Sequence, residues 1–90
     1  MFDDYREADQ KILGFLQEIE KKLPNFHIDR KRIMQGTGMP WTTCFDSLKR
    51  LKLKGLVTAY KLNIKRIGAP RIYYRLTADY YVLLDQVQEA

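Results

Sequence analysis

The spacing of apolar residues along this chain changes at Gly55, and that change constrains the fold more than any other feature of the sequence. Up to Gly55, apolar residues recur at every third or fourth position, which is the period of amphipathic helices. Between Leu56 and Leu76 they recur at every second position, the period of β-strands, in two runs separated by a Gly-Ala-Pro turn. After Thr77 the helical period returns. The chain is therefore predicted to form three helices, one β-hairpin and a last helix, in that order.

Residues that start and stop helices set the bounds of these elements. Asp29 is a good N-cap for the second helix, which Gly36 and Gly38 are expected to break. Gly55 is expected to cap the third helix at its end, and Thr77 to cap the last helix at its start. The predicted elements are helix 4–23, helix 29–36, helix 40–54, hairpin 56–76 and helix 77–89. They predict an α+β fold, mostly helical, in one domain over residues 1–90.

Composition restricts the compartment and the kinds of site. No apolar run approaches the ~20 residues needed to span a bilayer, and the acidic N-terminus lacks the apolar segment of a secretory signal. Cys44 is the single cysteine and cannot form an internal disulfide, so we expect a cytoplasmic protein in which Cys44 is a small core residue. His27 has no metal-binding arrangement of Cys, His or carboxylates beside it. We therefore expect no metal site and no cofactor.

Charge is sorted along the chain. Residues 27–76 carry twelve Lys and Arg against two acids, whereas residues 1–26 and 77–90 are acidic, and the whole chain has a net charge of +5. A chain that was basic only for solubility would have little reason to separate its charges in this way. The separation predicts one face for a polyanion and a different face for another partner.

The basic middle of the chain has the organisation of a DNA-binding motif. Two short helices joined by a turn with glycine, the second helix basic and followed by a β-ribbon, are typical of a helix-turn-helix with a wing. The third helix would enter the major groove, with Cys44, Leu48 and Leu51 facing the core. The predicted DNA contacts are Arg30, Arg32, Trp41, Thr42, Thr43, Phe45, Asp46, Lys49, Arg50, Lys65, Arg66 and Arg71.

Two blocks of sequence resemble prokaryotic winged helix-turn-helix regulators. Residues 37–57, TGMPWTTCFDSLKRLKLKGLV, are similar to the stretch that reads Thr-Gly-Leu, small polar residues, a β-branched residue and Leu-x-x-Leu-x-x-x-Gly-Leu-Val. Residues 68–77, GAPRIYYRLT, resemble the returning wing strand of PadR-like repressors, Gly-x-Pro-Arg-x-Tyr-Tyr-x-Leu-Thr. PadR-like and MarR-like proteins are, as a group, homodimeric repressors, and the resemblance implies that role here. Pro40 departs from the pattern, because a Ser or Thr usually caps the recognition helix at this place.

The acidic ends are predicted to form a dimer interface. The first helix and the segment around residues 80–84 carry more apolar surface than one small core can use, and their negative charge keeps them away from DNA. The predicted dimer contacts are Tyr5, Ile12, Tyr80, Tyr81, Leu84 and Val87. Two-fold pairing would place two recognition helices about 34 Å apart, one turn of DNA. The alternative is that Tyr80, Leu83 and Val87 on the last helix only cover the core of the three helices.

Function is therefore predicted to be sequence-specific binding of double-stranded DNA by a homodimeric transcriptional regulator, a repressor by resemblance, of the minimal archaeal or viral type. We expect no enzymatic activity, because the sequence has no nucleophile with a base, no phosphate loop and no paired carboxylates. Two other hypotheses stay open. One is an architectural DNA- or RNA-binding protein that does not read sequence, and the other is a winged-helix module that binds a protein. The operator and any small-molecule effector cannot be read from the sequence.

Overall fold

A computed structural model describes residues 6–62 and 71–89, with side chains up to residue 86. The described part is mostly helical and contains a small three-stranded antiparallel sheet, which confirms the predicted fold class. The elements in chain order are α1 (Glu7–Lys22), β1 (Ile28–Asp29), α2 (Arg30–Thr37), α3 (Trp41–Leu53), β2 (Val57–Lys61), β3 (Ile72–Leu76) and α4 (Ala78–Glu89). Helices α2 and α3 form the helix-turn-helix, and β2 and β3 form the base of the wing.

The turn between α2 and α3 depends on one glycine rather than two. Asp29 caps the start of α2, where its side chain accepts a hydrogen bond of 2.8 Å from the backbone N–H of Arg32. Gly38 ends the helix in the left-handed conformation, with φ of 73°. Gly36, expected to break the helix, lies inside it instead. A Cβ at this position would overlap the ring of Phe15, so Gly36 allows α1 and α2 to approach closely.

The sheet has the strand order β1-β3-β2, so the returning wing strand is its central strand. Ile28 pairs with Tyr74, and Val57 pairs with Leu76. β1 was not predicted, since two residues are too short to display an alternating pattern. Its pairing with β3 ties the wing to the residue that caps α2. The wing is therefore fixed to the helix-turn-helix by backbone hydrogen bonds as well as by packing.

One hydrophobic core joins the three helices, the base of the wing and the start of α4. Cys44, Leu48 and Leu51 form its α3 stripe, as predicted, and burial raises the pKa of the Cys44 thiol. Ile12 and Tyr80 were predicted to make dimer contacts, but this was wrong, because they are 0% and 2% exposed inside this same core. A side chain already enclosed by its own chain has no surface to offer to a partner.

The last helix is attached through its first turn. The Thr77 hydroxyl accepts a hydrogen bond of 3.3 Å from the backbone N–H of Tyr80, so Thr77 caps α4 as predicted. The same hydroxyl donates to the carbonyl of Gly55 at 2.6 Å, and the Tyr80 hydroxyl donates to Gln17 at 2.6 Å. These bonds hold α4 against α1 and the corner between α3 and β2. Within residues 6–62 and 71–89, no helix has the length and apolar character to cross a membrane.

Candidate nucleic-acid interface

Helix α2, the start of α3 and strand β3 meet around a cleft of about 580 Å³. The lining side chains carry three cations and one carboxylate, and they are Asp29, Arg30, Lys31, Met34, Trp41, Arg71, Ile72 and Tyr74. Tyr74 also lines a second cleft of about 410 Å³, together with Phe45, Leu48, Lys49, Lys52 and Leu53. We call the cations of the two clefts the basic face: Arg30, Lys31, Lys49, Lys52 and Arg71. Three separate elements contribute to it.

Helix α3 exposes most of the side chains that were predicted to read DNA. With 3.6 residues per turn, Trp41, Phe45, Lys49 and Lys52 follow one side of the helix. Thr42, Thr43 and Asp46 are exposed as well. The N-cap residue, Pro40, makes no side-chain hydrogen bond, so the first amides of α3 receive no side-chain cap.

Trp41 and Phe45 form a stacked aromatic pair on this helix. Their ring centroids are 5.3 Å apart and their planes differ by 9°. The guanidinium of Arg30, on α2, lies 5.1 Å from the centroid of the Trp41 ring, a cation–π contact. Trp41 was predicted from the sequence to contact DNA, which requires it to be on the surface. It is 49% exposed and therefore lies on the surface, linking α2 to α3 across the cleft.

The wing contributes Arg71 to the basic face. Its side chain is 69% exposed and lies 3.7 Å from the carboxylate of Asp29, the residue that also caps α2. This ion pair joins the residue before β3 to the start of the helix-turn-helix at the surface. Lys65 and Arg66, the other predicted wing contacts, lie outside the described residues.

Arg32 lies on a different surface from the other predicted contacts. It is two positions after Arg30 on α2, and residues with that spacing point to opposite sides of a helix. Its guanidinium lies 4.9 Å from the centroid of the Phe26 ring, beside an apolar groove that includes Phe15 and Leu23. The structure therefore does not bring Arg32 together with the basic face.

Arg50 was predicted to contact DNA, but it is engaged in a buried ion pair with Asp9. One guanidinium nitrogen donates to Asp9 Oδ1 at 2.8 Å and another to Oδ2 at 3.3 Å, and the Ser47 hydroxyl also donates to Oδ1. The Asp9 side chain is completely buried, and that of Arg50 is 29% exposed. The contact joins α1 to α3. Arg50 therefore serves to hold α3 against α1 and is not part of the basic face.

Charge compensation keeps Asp9 ionised inside the protein. Burial alone would raise the pKa of its carboxyl, but the hydrogen bonds from Arg50 and Ser47 and the Arg50 charge outweigh burial and lower it below the ordinary value of 3.8. The hydrogen bond to Asp9 raises the pKa of Arg50. A sequence signal for this site does exist. Asp9 falls on the same buried stripe of α1 as Ile12, Leu13 and Leu16. A charged side chain on a buried stripe needs a hydrogen-bonding partner inside the protein.

The predicted dimer contacts divide between core and surface. Tyr81 is 38% exposed, whereas Leu84 is half-buried against the core. Val82 was not among the predicted contacts, yet it is 55% exposed beside Tyr81 at the start of α4. Tyr5 and the side chain of Val87 lie outside the described residues. Tyr81 and Val82 are therefore the described apolar surface of α4, and none of the residues that the structure describes covers them fully.

Comparisons with known proteins give similarity in structure only. No protein-family model matches the chain, and no curated protein matches it. A PadR family transcription regulator from Clostridium difficile R20291 superposes with a TM-score of 0.70 at 21% identity, over 93% of this chain and 85% of the other. A protein assigned to the MarR family of transcriptional regulators, from Enterococcus faecalis V583, gives 0.60 at 24% identity, over 91% and 74%.

A third similar structure is NadR in complex with 4-hydroxyphenylacetate, with a TM-score of 0.71, 21% identity and coverage of 96% of this chain. The present chain spans only 55% of the length of NadR. The predicted resemblance is confirmed in the fold, because the superposed parts include nearly all of this chain. The chain therefore has the winged-helix fold found in transcription regulators of the PadR and MarR families.

Proposed function

We propose that this protein is a transcription regulator that binds double-stranded DNA as a homodimer, with α3 in the major groove and the wing along the flanking backbone. The observation that carries the proposal is the basic face, to which α2, α3 and Arg71, the residue just before β3, each contribute cations. Cations on separate elements can contact phosphates on both sides of a groove, and a solvated basic side of one helix would not need cations from the neighbouring elements. The winged-helix fold supports the same docking.

The exposed side of α3 has groups that can read base edges. Lys49 can donate to guanine O6 and N7, and Asp46 can accept from cytosine N4. Thr42 and Thr43 lie at the start of the helix, where the uncapped amides favour a phosphate. Asp46 repels phosphate, so its presence on this face favours base reading over binding to the backbone alone. This distinguishes the proposal from an architectural protein that uses only the phosphates.

Selection of bound sequences from random duplex DNA tests the proposal directly. We expect one enriched site with dyad symmetry and half-sites one helical turn apart, about 34 Å. The selected duplex should compete at least ~10³-fold better than random duplex at the same salt concentration. An architectural protein would enrich no site. A protein-binding module would show no duplex binding and no dependence on salt.

Pairing of two copies through the acidic helices would place two α3 helices on one operator. The apolar surface of α4, formed by Tyr81 and Val82, supports this part of the proposal, as does the absence of basic residues from residues 77–90. Repression follows if the bound dimer excludes polymerase from an overlapping promoter. The similar structures of known regulators support the regulatory role, and any effector would act on the spacing between the two α3 helices.

Replacing Val82 with aspartate should dissociate the dimer. In a two-fold interface, the new carboxylate of one protomer would be buried near the same carboxylate of the other protomer. We therefore expect the dissociation constant of the dimer to rise by roughly 100-fold or more. Sedimentation at micromolar concentration measures the change, and Leu53→Asp, at an 81% exposed site on α3, is the matched control. If the unmodified protein sediments only as a 10.7 kDa species, the homodimer proposal is wrong.

A further inference from the structure

We propose that the stacked pair of Trp41 and Phe45 recognises the C5-methyl group of thymine in the major groove. This inference rests on the proposed function, and it assigns specificity to two residues that supply no phosphate contact. It predicts that the bound sequence contains thymine at the positions facing the start of α3.

The pair exposes apolar surface that the fold does not use. Trp41 and Phe45 are 49% and 42% exposed, and neither belongs to the hydrophobic core. Two large apolar side chains are exposed next to each other on the helix that carries the predicted base-reading residues. A contiguous exposed apolar patch of this kind indicates a contact with a partner. The partner must offer an apolar group to the flat faces or edges of the rings.

The charges around the pair indicate what that partner is. Arg30 lies 5.1 Å from the centroid of the Trp41 ring, and Lys49 follows Phe45 by one helical turn. Lys31 and Arg71 line the same cleft as Trp41. Asp46 is the exposed acid among the residues of α3, and Asp29 is paired with Arg71. An apolar patch bordered mainly by cations fits an anionic partner with apolar groups of its own, as in the major groove of DNA.

The edges of the base pairs in the major groove offer hydrogen-bond donors, hydrogen-bond acceptors and one apolar group. That group is the C5-methyl of thymine. The Phe45 ring has no hydrogen-bonding group, and the Trp41 indole has a single donor and no acceptor. The rings therefore gain most by covering a methyl group, whereas the polar edges are left to neighbours such as Lys49.

Stacking prepares the pair for this contact. Rings that are 5.3 Å apart and parallel to within 9° restrict each other, and Arg30 restricts Trp41 further. Side chains that are already ordered lose little rotamer entropy on binding. The aromatic pair thus presents a fixed apolar surface to the groove. Flexible side chains in the same place would first have to be ordered, at a cost in entropy.

Replacing thymine by uracil in the selected duplex tests the inference, because this removes only the methyl group. At the thymines that face the start of α3, we expect each removed methyl group to weaken binding about four-fold. Burial of one methyl group contributes ~0.8 kcal/mol, and this free energy corresponds to that factor. Phe45→Ala should bind both duplexes with similar affinity. Leu23→Ala, at an exposed apolar site just after α1 and outside both clefts of the basic face, should keep the four-fold preference.

The outcomes separate the inference from the proposed function. If a specific duplex is selected but uracil binds as well as thymine at every position, the inference is wrong and the proposed function stands. If Phe45→Ala, folded by circular dichroism, keeps the preference for thymine, the inference is also wrong. If no duplex is selected from the random pool, both fail. The substitution in DNA needs no change to the protein, so the main result does not depend on how a variant folds.

Discussion

Replacing Arg50 with alanine is expected to lower the free energy of unfolding by about 2–4 kcal/mol. The change removes two of the three hydrogen bonds to the Asp9 carboxylate, which is completely buried in the unmodified protein, and leaves Ser47 as its remaining donor in the present contact. An uncompensated buried charge costs far more than a lost surface contact, which contributes only ~0–1 kcal/mol. Urea denaturation at pH 7 measures the difference.

Lys49 is the matched control, because it is the preceding residue and carries the same charge. Its side chain is exposed on the basic face, so Lys49→Ala should change the free energy of unfolding by less than ~0.5 kcal/mol. Its effect should appear instead in DNA affinity and in the preference for the selected sequence. Equal destabilisation by the two changes would contradict the role assigned to Arg50.

The pH dependence of stability identifies the carboxylate. Because folding lowers the pKa of Asp9 below 3.8, its contribution is fully present above that pH and is lost as the pH falls through the folded value. Asp9→Asn should therefore be less stable than the unmodified protein at pH 7. The two should become more similar as the pH falls below 3.8, because the carboxyl is then protonated in the unfolded state and, once the pH passes the folded pKa, in the folded protein as well. A constant difference from pH 7 to pH 3 would contradict the assignment.

The sequence was sufficient to predict the order of helices, hairpin and last helix, because each has a clear hydrophobic period. It also predicted the Asp29 and Thr77 caps and the inward stripe of α3. β1 could not be predicted, since a two-residue strand is defined only by its partner β3. Gly36 shows a similar limit. A glycine beside a turn resembles a helix breaker, and only the position of the Phe15 ring reveals a close contact between helices.

The predictions of site residues failed where a charge has an alternative partner within the fold. Arg50 and Lys49 are equivalent in a count of basic residues, yet only Arg50 lies above the buried carboxylate of α1. Arg32 has the same charge as Arg30 but points toward Phe26. Basic composition predicts that a surface for a polyanion exists. Which cations belong to it depends on helix packing that connects residues about forty positions apart, as in the pair of Asp9 and Arg50.

The largest expected effect on DNA binding comes from removing one cation from each element of the basic face. We expect the triple variant Lys31→Ala, Lys52→Ala and Arg71→Ala to bind the selected duplex about 10²–10³-fold more weakly near 0.1 M salt. Each lost phosphate contact lowers the slope of log affinity against log salt by about 0.9, so the slope should fall by nearly three units. Fluorescence anisotropy over a range of salt concentrations measures both quantities.

A second triple variant separates position from total charge. Lys11, Lys21 and Lys22 are exposed on α1, and replacing all three with alanine changes the net charge from +5 to +2, the same as in the first variant. Lys11 and Lys22 pair with acids on their own helix, at 3.5 and 2.8 Å, and α1 lies outside the basic face. The α1 variant should therefore keep most of the affinity and most of the salt slope. If both variants lose the same affinity, binding depends on net charge alone, which favours an architectural protein over a regulator that docks through α2, α3 and the wing.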